Sequence, residues 1–311
     1  MILDQLKHAL EANGVSYLAD EPMSKHTTFR IGGKARLVAL PKSVEELVRV
    51  LTLYHIHADR IPLWVLGNGS NVLVSDGGMD GLVVLTGGVR GVHFAEPMDG
   101  SVTVTAECGA SLTALSDACV RQGRELDGLA FAYGIPGSVG GALVMNAGAY
   151  GGEMSDVVTG STYFNLQDGE IHRLTADEMK LSYRHSTFTD HPHWIVLTVE
   201  MSLAIGVGAD IRGRMDGYMA ARRDKQPLEY PSAGSVFKRP EGAFAGKLIE
   251  DCGLKGYTVG GAQVSPKHAG FIVNVGDATA SDVSELVAHI QRTVEENTGY
   301  RLECEIRTLG E

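Results

Sequence analysis

Cysteine is scarce in this chain of 311 residues: Cys108, Cys119, Cys252 and Cys304 are the whole set. No CxxC pair and no metal-ligand spacing occurs among them, which argues against a disulfide scaffold or a zinc module and reads as reduced core thiols. The histidines show no zinc spacing either, and His191 and His193, flanking a proline, read as loop. No metal is therefore expected. Proline is sparse too, at 10 residues, and the glycines have no three-residue period, so a collagen-like chain is excluded. A hydrophobic share of 44 % excludes a disordered chain. No run of 18 apolar residues occurs, and the N-terminus lacks a basic flank followed by an apolar stretch, so neither a membrane span nor a signal peptide is expected and a cytoplasmic location is. Positive charge is in deficit, with 27 Lys and Arg against 38 Asp and Glu and a net charge of −11. A nucleic-acid partner is not expected of such a chain. Two nucleotide motifs are missing as well. No GxGxxG opens a helix after a clean strand, and Gly242 to Lys247 has the wrong spacing for a P-loop and lacks the following Ser or Thr.

Glycine, by contrast, is abundant. The chain has 39, and eight of them fall between Gly128 and Gly152. Within that segment Gly134, Gly137, Gly140 and Gly141 surround Ile135, Pro136, Ser138 and Val139. Consecutive small residues let backbone amides converge on one spot, as in phosphate cradles. A tight buried crossing of strands and turns is the alternative. Gly67-Asn68-Gly69-Ser70-Asn71, directly after the apolar run LWVL, is a second polar glycine loop, and Thr27 to Gly33, with Arg30, is a third. Together they suggest an extended cofactor laid over several loops.

Local patterns outline the rest. Residues 2–12 read as a helix with Ile2, Leu3, Leu6, Ala9 and Leu10 on one face. A second helix starts at Ser43 in a capping-box pattern with Glu46, its stripe being Leu47, Val48, Leu51 and Tyr54. Strand patterns lie at 63–66, 82–85, 101–106, 157–166, 170–174, 193–204, 270–275 and 301–308. Helices are expected over 112–122, 210–224, 244–251 and 280–297, the last capped by Thr279 and Asp282. Three domains are expected: 1–90, 91–205 and 206–311.

Three polar sites stand out in the C-terminal two-thirds. Ser235, flanked by Ala233 and Gly234, is sterically open to whatever approaches, or is an ordinary turn serine. With Lys238 it satisfies SxxK, but that motif needs a helix, and Val236, Phe237 and Pro240 argue for a strand. Arg184, in Ser182 to Ser186, suits a carboxylate, or lies on a solvated loop. Glu303 and Glu305 share a face if 301–308 is a regular strand, with Cys304 and Ile306 opposite. They then form an acid/base pair or the solvated side of an edge strand. His268 precedes a strand and is positioned to contact substrate. The basic cluster Arg212, Arg214, Arg222, Arg223 and Lys225 falls on one helix, as a diphosphate support or a solvated face.

Seven segments, in order, resemble one family: HTTFRIGG (26–33), LGNGSN (66–71), AYGIPGSVGGALVMNAGAYGG (132–152), LSYRHS (181–186), PSAGSVFKRP (231–240), KGYTVGGAQVSPKHAGFIVN (255–274) and LECEIR (302–307). The family is the UDP-N-acetylenolpyruvoylglucosamine reductases of bacterial cell-wall synthesis. The resemblance implies an α+β fold: a two-part FAD-binding unit like that of vanillyl-alcohol oxidase, plus a C-terminal α/β substrate-binding domain. It implies FAD and NADPH as cofactors, and UDP-N-acetylglucosamine enolpyruvate as a small-molecule substrate reduced to UDP-N-acetylmuramate. By motif position, Ser235 is implied as proton donor to C2, Arg184 as electrostatic stabiliser and Glu305 as its partner. Implied FAD contacts are Thr28, Arg30, Gly32, Gly67, Asn68, Gly69, Ser70, Asn71, Gly134, Pro136, Gly137, Ser138, Gly140, Gly141, Asn146, Ala147 and Gly148. Substrate contacts are expected at Lys225, Lys238, His268 and Asn274. The short stretch from Leu181 into the 193–204 strand leaves no room for the tyrosine-bearing loop of one branch, so the compact branch, acting as a monomer without a membrane or nucleic-acid partner, is expected. Another FAD oxidoreductase of the same fold acting on an alcohol or lactone, or a nucleotide-sugar binding module without chemistry, are the competing readings.

Overall fold

A computed structural model describes residues 2–57, 60–121 and 123–310. Gln122, the last residue of the expected helix 112–122, lies outside them. The chain divides into two compact units. One gathers residues 1–19, 37–68 and 81–220, the other 20–36, 69–80 and 221–311. Segments 20–36 and 69–80, inside the expected first domain by sequence, thus group with the C-terminal third. The physical reason is burial, since Phe29, Ile31 and Leu73 share a core with Val236, Ile249, Ile272 and Ile290.

In the first unit the helix Ile2–Ala12 buries Leu6 and Leu10. The helix Val44–His57 buries Leu47, Val50, Leu51 and Tyr54. That i, i+3, i+4, i+7 set replaces the expected stripe, because Val48 is only half-buried. Its capping box is displaced. Ser43 Oγ accepts from Glu46 N at 3.3 Å, but the Glu46 carboxylate accepts from Lys42 N at 3.0 Å, one residue before the expected partner. The strands Leu63–Leu66 and Met79–Leu85 pair in parallel, Leu63 opposite Leu82. A six-stranded sheet follows, ordered Glu170–Thr175, Val158–Asn165, Trp194–Ile205, Ser101–Glu107 and Val92–Phe94, with Leu126–Asp127 also on Trp194–Ile205. The expected alternation holds in Ser101–Glu107, where Val102, Val104 and Ala106 are buried. Cys108 and Cys119 are buried in this unit, and burial pushes both thiols up to about 12. In the other unit Cys304 is exposed and Cys252 half-buried, so the core-thiol expectation holds for two of the four.

The glycine-dense segment hides an element that its composition concealed. Val139–Val144 is a short helix, with Ser138 Oγ accepting from Gly141 N at 3.2 Å as its N-cap.

The second unit has an antiparallel sheet in the order Ser232–Ser235, Phe271–Asn274, Ala262–Val264 and Thr258–Val259. The helix Ala280–Thr298 packs on it through Val283, Leu286, Ile290 and Val294. Its capping box is reciprocal: Asp282 N donates to Thr279 Oγ1 at 3.0 Å, and Thr279 N donates to the Asp282 carboxylate at 2.9 Å. The expected strand 301–308 is corrected. Only Arg307–Leu309 is a strand, pairing in parallel with Val72–Val74, and 302–306 is irregular with Leu302 and Ile306 buried. Within that stretch Cys304 is exposed and makes a single isolated antiparallel bridge to Phe237, so no regular ladder carries the alternation expected to set Glu303 and Glu305 on one face. Among the described residues no helix is long and apolar enough to cross a membrane.

Candidate active site

In the first unit two glycine loops interlock. A Cβ built on Gly67 would collide with Ser138 Oγ, and Asn68 Nδ2 donates to Pro136 O at 2.9 Å. Thr113 Oγ1 fastens the start of the glycine segment, accepting from Gly134 N at 3.1 Å and donating to Ile135 O at 2.9 Å. Val139 N and Gly140 N, at the head of the short helix, both donate to main-chain carbonyls, those of Ala110 and Cys108, at 2.8 Å. A Cβ on Gly140 would lie 2.8 Å from Cys108 Cβ. The glycines here therefore allow close packing behind the loop, and the amides of Val139, Gly140 and Gly141 are spent within the protein and do not converge on one open spot as the run of small residues predicts.

The segment leads into the turn that carries Arg184. Ser182 and His185 exchange main-chain hydrogen bonds at 3.1 Å in both directions, leaving Tyr183 and Arg184 at the tip. Arg184 has φ +55°, a left-handed conformation costing an arginine roughly 1–2 kcal/mol. Its guanidinium lies 5.1 Å from the centre of the Tyr183 ring, and His185 pairs with Asp190 at 2.9 Å. Asn146 is fully buried, and its side chain is spent on the protein: Nδ2 donates to Ser182 O at 3.1 Å, and Oδ1 accepts from Ser155 N at 2.9 Å. With 0 % exposure it has no surface to offer a cofactor.

Part of the basic helix is likewise spent within this unit. Arg212 reaches Asp117 at 2.9 Å and Arg214 reaches Asp127 at 2.6 Å. Both are partly exposed surface ion pairs within this unit.

In the second unit the expected catalytic and cofactor segments share hydrogen bonds. Gly234, at φ +77°, breaks the register between Ser232 and Ser235 and turns Ser235 outward, exposed, while Ala233, Val236 and Phe237 are buried. Val236 N then donates to Gly270 O at 2.9 Å, and Glu305 N donates to Val236 O at 2.7 Å. Ser235 and Glu305 are thus carried on adjoining segments. Glu305 is half-buried, whereas Glu303 is exposed and pairs with Lys238 Nζ at 3.1 Å. Thr28 N donates to Gly69 O at 3.0 Å and Thr28 Oγ1 to Ser232 O at 2.7 Å. Asn71 Nδ2 donates to Glu305 O at 3.1 Å. A Cβ on Gly69 would collide with His26 O. Arg30, at φ +56°, is exposed between buried Phe29 and Ile31, and Gly32 follows at φ +139°.

The expected substrate residues diverge. Asn274 donates to Phe29 O at 3.2 Å and accepts from Gly276 N and Ala278 N, which makes it a brace for the first loop. His268 is half-buried, accepts from Gly270 N at 3.1 Å and sits edge-on to Phe271. Burial holds its pKa below the usual histidine value. Lys225 is exposed. Three structural holders escaped the sequence reading: Thr113, Ser155 and Ser186. The last is fully buried and donates to Val144 O at 2.8 Å. Nothing in composition marks Thr113 and Ser186, since each works through a partner more than twenty residues away, and Ser155 acts through its main-chain amide, which no residue type signals.

The glycine positions answer whether the loops suit an extended, diphosphate-bearing cofactor. In each unit a polar loop is drawn so close to its neighbour that no side chain fits, which leaves small residues and main chain lining the approach, as such a group requires. Among the described residues no group of three or more His, Cys, Asp or Glu is placed to hold a metal ion.

Comparison with known proteins fits this geometry. Residues 35–175 match the FAD binding domain model, and residues 226–309 match the C-terminal domain of UDP-N-acetylenolpyruvoylglucosamine reductase. The reductase of that name from Caldanaerobacter subterraneus subsp. tengcongensis is 46 % identical over 311 residues, covering 100 % of this chain and 99 % of that one. Its namesake from Listeria welshimeri is 47 % identical over 297 residues, 96 % of each chain. The crystal structure of the Thermus caldophilus enzyme superposes with a TM-score of 0.74 at 36 % identity, over 94 % of this chain and 98 % of that one. The chain belongs to the UDP-N-acetylenolpyruvoylglucosamine reductase family, with an FAD-binding N-terminal part of that flavoprotein fold and a C-terminal α/β domain.

Proposed function

We propose that the chain reduces the enolpyruvyl ether of UDP-N-acetylglucosamine to the lactyl ether of UDP-N-acetylmuramate, with NADPH as reductant. Bound FAD would supply the hydride chemistry, taking a hydride from NADPH and giving one to C3 of the enolpyruvyl group. It would be held by Thr28, Arg30 and Gly32, by the 67–71 loop, and by Gly134, Pro136, Gly137, Ser138, Gly141, Ala147 and Gly148.

The chain's own residues manage the charge and the proton. Hydride arrival at C3 leaves negative charge at C2, beside a carboxylate, and Arg184 stabilises it electrostatically. Ser235 holds the proton that C2 takes up, and Glu305 keeps that site polarised from the adjoining segment. A serine is a weak acid near neutrality, so its transfer must be concerted with charge build-up on carbon. Lys225, Lys238 and His268 are offered to the substrate from the C-terminal part, residues 206–311, with the flavin on 1–90 and 91–205. The short connection after Leu181 favours the compact branch. The observation that carries this reading is the 2.7 Å bond from Glu305 N to Val236 O, which lays the segment of Glu305 beside the one that carries the exposed Ser235.

The test is turnover. NADPH oxidation must depend on the enolpyruvyl UDP-sugar, and the product must be heavier by H2. Consumption of NADPH that ignores the sugar, or activity confined to alcohols or lactones, contradicts the reading.

A further inference from the structure

We infer that Asn146 is a positioning residue for Arg184, clamping its turn through Ser182 O without touching cofactor or substrate. The inference rests on the proposed role of Arg184. Four observations within the first unit carry it.

The side chain of Asn146 is sealed from solvent, and both its polar atoms are engaged, Nδ2 donating to Ser182 O and Oδ1 accepting from Ser155 N. Its backbone has φ +42°, a conformation that Asn and Gly adopt far more readily than other residues. Ser182 is the first stem residue of the turn, paired in both directions with His185. Immediately beyond the far stem, Ser186 Oγ donates to Val144 O at 2.8 Å, and Ser186 is itself sealed. Both ends of the turn therefore hang on residues 144–146, where the short helix Val139–Val144 ends. A left-handed arginine persists only where its surroundings over-determine it, and these two bonds, each made by a buried side chain, supply that constraint. The same helix is capped by Ser138, against which Gly67 packs. The glycine segment thus sets the cofactor loop at its head and the Arg184 turn at its tail.

The clamp can be cut without disturbing the backbone. Asn146→Gly keeps the positive φ and removes both side-chain bonds. Asn146→Asp retains the acceptor for Ser155 N and loses the donor to Ser182 O. In anaerobic rapid mixing of the FAD holoenzyme, both variants are expected to be reduced by NADPH at the wild-type rate. Reoxidation by the enolpyruvyl UDP-sugar should slow by about 10- to 100-fold, the usual cost of a misplaced catalytic group. In an Arg184→Ala background, Asn146→Gly should add no further slowing. Should either Asn146 variant fail to fold, Ser186→Ala, cutting the other stem, is expected to show the same split and the same non-additivity. Equal loss in both half-reactions, loss of flavin, or slowing that multiplies with that of Arg184→Ala would overturn the inference. If Arg184→Ala itself reoxidises normally, the role of Arg184 falls first, a result separable from the other three.

Discussion

Arg184 stands in a positive-φ turn whose two stems hang on buried side chains, whereas Ser235 ends a strand secured by main-chain bonds on both edges. On one edge Val236 N reaches Gly270 O, and on the other Glu305 N reaches Val236 O and Lys238 N reaches Glu303 O. Main-chain ladders tolerate loss of a side chain, because the bonds belong to the backbone. The Arg184 turn is closed by its own pair of main-chain bonds between Ser182 and His185, but its attachment to residues 144–146 runs through the side chains of Asn146 and Ser186. The serine is therefore the more robustly placed of the two and the arginine the more easily detuned by a distant change.

The largest effect should come from Ser235→Ala. The side chain is exposed and its strand is backbone-held, so thermal stability should stay within about 0.5 kcal/mol of wild type. Flavin reoxidation by substrate should nonetheless slow by roughly 10²- to 10⁴-fold, as loss of a general acid does. A matching loss in flavin reduction would remove the serine from its assigned step. Gly67→Ala probes the interlocked loops of the first unit. Its methyl group would meet Ser138 Oγ, and overpacking of this kind costs about 1–3 kcal/mol. Chemical denaturation, with the bound flavin measured alongside, should show both fall together.

A smaller effect concerns His268 in the second unit. Its folded pKa is lowered, chiefly by burial, and Nδ1 accepts from Gly270 N, which a protonated ring would be unable to do. The neutral ring is the one that the fold favours. Its contribution to stability is fully present above the unfolded value of about 6.5 and is lost as pH falls from there through the folded pKa. His268→Gln should flatten the drop in melting temperature between about pH 7.5 and pH 5, and an unchanged drop would contradict it. Least of all should follow from Glu303→Gln. The Lys238 pair is solvent-exposed on both sides, so less than about 1 kcal/mol is at stake, measurable by urea titration.

Much of this was legible in the sequence. Periodicity found the helices Ile2–Ala12, Val44–His57 and Ala280–Thr298, because each shows a clear face or cap. Motif order found the family. The illegible parts have one physical character, dependence on partners far along the chain. Glycine density pointed to loops at 128–152, and its internal helix exists because Ser138 caps it and Cys108 and Ala110 receive its first amides. Residues 302–306 read as a strand by their pattern, yet only Cys304 finds a partner there, Phe237, in an isolated bridge that depends on a segment far along the chain. Asn146 and Asn274 read as ligand contacts by their motifs, yet both spend their amides on main-chain groups. A sequence displays an amide without showing which way it faces.

The most direct measurement is an anaerobic two-step mix of the wild-type FAD holoenzyme, first with NADPH and then with UDP-N-acetylglucosamine enolpyruvate, followed by flavin absorbance. The account predicts bleaching in the first step and full return of the flavin bands in the second, with UDP-N-acetylmuramate formed in equal amount. Flavin that bleaches and then stays reduced in the presence of the sugar would contradict it.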